Sequence, residues 1–142
     1  MLEILDPLRL NVLSLPPVLR KSHAEDLASH AARRPDAIAY DALVDYSRVT
    51  KFNISPDDIV RFAMKRRAGL PETSTRPVKS AIVGIRPQVW QVLETWLAFF
   101  DETNRVIDSQ TFDTVEAALD WLGRREALDT VNASLAALSA SR

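Results

Sequence analysis

Asp45, Ser47 and Arg48 bring a carboxylate, a hydroxyl and a guanidinium within four residues, directly after the apolar segment Ala42-Leu-Val44. In open α/β sheets ligands bind beyond the carboxyl ends of parallel strands, so these residues are candidates for a small polar pocket. Arg48 and the following helix N-terminus would then face an anion. Arg86, placed after the next strand, falls on the same rim and with Arg48 would clamp a carboxylate or phosphate. Trp90 lies off the apolar stripe of its helix and is the candidate pocket wall or interface residue. The plainer reading stands beside each of these. Asp45 and Ser47 are ordinary turn residues that satisfy loose backbone donors, and two arginines on adjacent loops are ordinary surface. A hydrolase or transferase using Asp45 and Ser47 is the alternative of another class, and it lacks a base of the usual kind.

Other chemistries lack their residues. The chain has no cysteine and two histidines, His23 and His30, seven residues apart. Two helical turns separate them by about 10 Å, whereas zinc–nitrogen bonds are near 2 Å. No metal site or cofactor is expected. Gly69, Gly84 and Gly123 are scattered singly, so there is no phosphate loop, and no serine stands in a nucleophile elbow. Lys65-Arg66-Arg67 is explained by the negative pole of a helix dipole. With 18 basic and 19 acidic residues, no net field favours nucleic acid or an anionic membrane.

A chain of 142 residues fits one domain with a proper core. The N-terminus lacks the basic region and long apolar stretch of a secretory signal. The greasiest segment, 89–100, is too short and too interrupted to span a bilayer. A cytoplasmic location is the default expectation.

The elements that must position the candidate residues read as strands and helices in alternation. Leu2–Leu5 and Leu8–Leu15 flank Asp6-Pro7 as an edge hairpin, with Leu8, Leu10, Val12 and Ser14 on one face and Arg9, Asn11, Leu13 and Leu15 on the other. Pro16-Pro17 ends the second strand. Ser22 and Glu25 form a capping box before a helix whose stripe is Ala24, Leu27, Ala28 and Ala31. Residues 37–46 read as a strand. Ser55-Pro-Asp-Asp58 starts a second helix, with Ile59, Phe62 and Ala63 inward and a stop at Gly69. Residues 70–77 read as a loop. Ser80–Ile85 suits a central parallel strand, Pro87 opens a helix that carries Trp96 inward with Phe100, and Val106-Ile107 begins another strand. Asp113-Thr-Val-Glu116 caps a helix that buries Val115, Ala118, Leu119 and Leu122, while Trp96 and Trp121 read as core.

The expected organisation is therefore a domain over 1–123 followed by a helical tail over 124–142. In that tail Leu128, Val131, Leu135 and Leu138 form a stripe that packs either on its own sheet or on a second chain as a homodimer interface.

Three segments carry a family likeness: Ala42-Leu-Val-Asp45, Lys79-Ser-Ala-Ile-Val-Gly84 and Phe112-Asp-Thr-Val-Glu-Ala-Ala-Leu-Asp-Trp-Leu-Gly123. With the order of elements they resemble the SpoIIAA-like group of the STAS superfamily, the anti-sigma factor antagonists, whose fold is compared with CRAL-TRIO-type lipid-binding domains. The resemblance implies an α/β sandwich with a mixed five-stranded sheet, an N-terminal hairpin and four or five helices. It also implies bacterial-type signalling through a protein partner. Ser47 is the positional counterpart of that family's phospho-acceptor, but the family's Asp-Ser-Ser/Thr-Gly turn is absent from residues 45–55. The functional expectation is a non-enzymatic binding or regulatory module acting through a protein partner or a small apolar or anionic ligand. The alternative is a lipid or small-molecule domain with its pocket at the strand C-terminal ends. Such a pocket would be dry, bordered by the 90–100 helix, and sensitive to Trp90→Glu.

Overall fold

Strands of period two and helices of period three to four set the architecture of the computed structural model, which describes residues 1–70, 77–102 and 107–140, with the backbone alone for 99–102. The chain runs β1 (Leu2–Leu5), β2 (Leu10–Ser14), β3 (Val18–Arg20), α1 (Lys21–Arg33), β4 (Asp41–Asp45), β5 (Lys51–Asn53), α2 (Pro56–Ala68), β6 (Val78–Val83), α3 (Pro87–Glu102), β7 (Ile107–Phe112), α4 (Val115–Leu122) and α5 (Leu128–Ala140). The main sheet has the order β1-β2-β4-β6-β7, and β3 and β5 form a separate pair. Only β1 and β2 are antiparallel; β4, β6 and β7 add in parallel. The expected α/β class, mixed five-stranded sheet and edge hairpin are thus present. The greater part of the 70–77 loop, the Phe100 side chain and the Val106 strand start lie outside the described residues.

Helices cover both faces of the sheet. On one face Leu10, Val12, Leu43, Ala81 and Val83 pack against Ala118, Leu119 and Leu122 of α4. The 124–142 tail completes this layer. Val131 is fully buried, Leu135 nearly so, and Leu128 and Leu138 pack at the margin. Ser134 Oγ donates to Glu3 at 2.7 Å, and Ser14 Oγ lies 3.2 Å from Ser139 Oγ. Two of the four residues expected as either cis packing or a dimer seam, Val131 and Leu135, are therefore buried in the chain's own core, and Leu128 and Leu138 stay part-exposed at its margin. The reason is area: without α5 the inner side chains of β2 would face water.

A buried ion pair locks this layer to the sheet. Asp41 is 2% exposed and opens β4. Its carboxylate accepts from Arg124 Nη1 at 2.9 Å and from the Lys79 N–H at 2.9 Å. Arg124 also donates to the carbonyls of Leu8, Leu122 and Arg9. Arg124, the first residue past the boundary expected at Gly123, is thus bonded to β4 and to the N-terminal hairpin turn. Gly123 ends α4 with φ 72°, a left-handed conformation that glycine adopts without penalty.

Three local expectations shift. α1 begins at Lys21, one residue before the expected Ser22 cap, because His23 Nδ1 accepts the Arg20 N–H at 2.9 Å. The cap of α4 is Thr114, whose hydroxyl accepts from Ala117 N–H, one residue beyond Asp113. The strand expected from residue 37 begins at Asp41, since Pro35–Ala37 turn as a 3₁₀ element. Ser55 does cap α2, accepting from Asp58 N–H at 3.2 Å.

That 3₁₀ turn is stapled to the hairpin by Arg34. Its guanidinium pairs with Asp6 at 2.6 Å and Asp36 at 2.9 Å, and the Tyr40 hydroxyl donates to Asp6. The hydrogen bond from Arg34 is the main cause holding both carboxyls below the usual carboxylate range. With folded pKa values depressed, the stabilisation is complete above the ordinary range and is lost as pH falls through the folded values. Carboxyl NMR titration is expected to show low midpoints for Asp6 and Asp36 that rise together in Arg34→Ala; an unchanged midpoint would contradict the staple.

Candidate cavity between the sheet and helices α1 to α3

The second face of the sheet is not filled. Leu15, Leu19, Tyr46, Val49, Ile82, Val89 and Leu93 pack at one end, and Ala63, Leu70, Val78 and Ile107 at the other. Between them and beneath α1 lies a cavity of about 460 Å³. That is within the roughly 300–1,000 Å³ of small-molecule sites. α1 contains no buried residue. Its stripe Ala24, Leu27, Ala28 and Ala31 borders the cavity instead of touching the sheet. α2 supplies Ile59 and Phe62, and α3 supplies Val92, Leu93 and Trp96.

Strand register gives the floor two rows of opposite character. Leu2, Leu13, Val44 and Ile82 are successive partners across β1, β2, β4 and β6, and all line the cavity. Two residues towards the N-terminal ends of the parallel strands, Ile4, Asn11, Ala42 and Ser80 form the next row on the same face. The first row is wholly aliphatic. The second carries an amide and a hydroxyl.

Cationic groups gather at that second row's end. Arg66 Nη1 donates to the Ile38 carbonyl at 2.5 Å, and Asn11 Nδ2 donates to the neighbouring Ala37 carbonyl at 3.0 Å. Both polar groups therefore meet the backbone just before β4. Burial pushes the Arg66 pKa down to about 10, so the group remains a cation at neutral pH while bearing a desolvation cost. Among the described residues its only hydrogen bond is the one to Ile38, and no carboxylate pairs with it. His30, Arg34 and Lys65 also border the cavity, and none of the described lining residues is Asp or Glu. At the opposite end Tyr46, 9% exposed, presents a phenol whose pKa burial raises.

The sequence-derived site falls outside this cavity. Asp45 Oδ1 accepts the Ser47 N–H at 2.9 Å, the turn geometry expected of those residue types. Arg86 Nη2 donates to the Ser47 carbonyl at 3.1 Å, whereas Arg48 reaches the Ser139 carbonyl of α5 at 3.5 Å. The two arginines are thus drawn to different carbonyls and do not converge as a clamp. Gly84, at φ 72°, lets this turn approach closely: a Cβ there would lie 3.0 Å from that of Ser47. Ser47 is exposed. Trp90 is not among the cavity's lining residues; its indole donates to Glu94 and it packs, partly buried, against the cluster that includes Tyr46 and Leu93. Trp96, expected as core, is the tryptophan of the wall. The two lie six residues apart, about a third of a turn around the helix, and Trp96 shares a face with Val92 and Leu93.

Sequence reasoning passed over Arg66 as one of three helix-end cations. Its signal was positional. Arg66 follows Ile59 by seven and Phe62 by four, which puts a cation on the inward stripe of α2. Among the described residues no cluster of three or more metal-ligating side chains occurs, and no helix is long and apolar enough to cross a membrane. Comparison with family models, characterised proteins and solved structures finds no match to the chain.

Proposed function

We propose that the chain is a non-enzymatic binding module whose ligand is a small, largely apolar molecule held between the sheet and helices α1 to α3. The observation that carries this reading is the cavity itself: about 460 Å³ of space bordered chiefly by aliphatic and aromatic side chains. Interiors otherwise pack densely, with few voids larger than a water molecule. An apolar space of this size is stabilised by an apolar occupant that restores the missing dispersion contacts. The order of elements supports a STAS-like sandwich as the scaffold, of the kind compared with lipid-binding domains. A regulatory role then follows if occupancy changes how α1 lies on the sheet, because α1 is the wall with no buried residue of its own.

The neutral fluorophore phenylnaphthylamine tests this reading. Saturable one-to-one binding is expected, with loss in Val44→Trp, which fills the middle of the floor while the circular dichroism spectrum is retained. Binding unaffected by Val44→Trp, or no saturable binding to the native chain, would remove the proposal.

A further inference from the structure

The cavity has a polarity that the apolar-ligand reading does not require. Lys65 and Arg66 border it without a carboxylate partner among the described residues, and Arg34, also at its edge, is already paired with Asp6 and Asp36. None of the described residues lining the space is an acid, although acids outnumber bases in the chain. A half-buried guanidinium bonded once to a carbonyl leaves most of its donors without a strong acceptor. Asn11 and Ser80 stand in one row of the floor, each paired with Ala42, and the next row on the same face is Leu13, Val44 and Ile82.

We propose that the ligand is an anionic amphiphile whose head, a carboxylate or a monophosphate, pairs with Arg66 at the N-terminal end of β4 while its apolar chain runs along β4 towards Tyr46. The inference rests on the ligand-binding reading above and adds its chemical class and direction. β4 spans five residues, about 16 Å at the usual strand rise, which gives the chain a track with an apolar row beyond the head. Asn11 and Ser80 offer the head neutral polar neighbours, and Lys65 lies at the cavity edge as a second cation. This places the head at the end of the sheet opposite the Asp45–Arg86 rim.

Displacement of phenylnaphthylamine separates this inference from its parent. Dodecanoate is expected to displace the probe at about ten- to hundredfold lower concentration than dodecanol, the span of a charge-assisted hydrogen bond. Dodecyl phosphate compared with dodecanoate identifies the head; either anion outcompeting the alcohol supports the proposal. In Arg66→Met the preference is expected to vanish while probe binding persists, and Arg66→Lys is expected to keep part of it. Equal displacement by both anions and the alcohol in the native chain, which needs no variant to fold, would overturn the anionic head while leaving an apolar site standing. Failure of the probe itself to bind would remove both.

Discussion

Asp41→Ala is expected to lower folding stability by about 3–5 kcal/mol, the cost of leaving a buried cation unpaired. Arg124 would remain tied to the carbonyls of Leu8, Arg9 and Leu122, with only 15% of its side chain exposed. The Lys79 N–H would also lose its acceptor. For a domain with a total stability of about 5–15 kcal/mol this is a large fraction, and the urea midpoint should fall accordingly. Asp41→Leu with Arg124→Met is expected to recover part of the loss, because removing both charges also removes the desolvation cost. The recovery is incomplete because three carbonyls and one N–H still lose partners. A midpoint change below about 1 kcal/mol for Asp41→Ala would show that the pair is more solvated than its geometry.

Truncating two leucines should report the contrast between the two faces of the sheet. Leu119 is fully buried in the core cluster it shares with Leu10, Val12 and Leu43, and Leu119→Ala is expected to cost about 2–5 kcal/mol. Leu27 belongs to the same type of inward helical stripe, but it faces the cavity. Little packing is lost there, so Leu27→Ala is expected to cost less than about 1 kcal/mol in the ligand-free protein. With a saturating ligand the two costs should draw closer, since the occupant supplies the contacts that Leu27 lacks. Equal costs without ligand would mean that α1 settles onto the sheet in solution.

That contrast also explains what the sequence made legible. Periodicity reports the direction a side chain faces, not the distance to what it meets. The stripe Ala24, Leu27, Ala28 and Ala31 reads as buried, and so does Ala118, Leu119 and Leu122; only the latter is packed. The hairpin, the Ser55 cap and a strand near 80–85, which the structure places at Val78–Val83, were readable because local chemistry determines them. β3 and β5 were not readable. Each has three residues, too few for alternation, and β3 follows directly on the Pro16-Pro17 break. The strand-end rim drew notice because polar residues beyond parallel strands so often bind ligands. Here Asp45 and Arg86 each bond the Ser47 backbone, outside the cavity. Arg66 escaped notice for the opposite reason: a run of three cations at a helix end has a sufficient electrostatic explanation, and only its place on the Ile59 stripe marks one of them as inward.

The floor of the cavity offers the most direct test. Selectively methyl-labelled protein saturated with dodecanoate should show NMR contacts from the ligand chain to Leu13, Val44 and Ile82, and none to Leu119 or Val131 across the sheet. Contacts confined to the α4–α5 face, or no contacts at saturation, would contradict a ligand site between the sheet and helices α1 to α3.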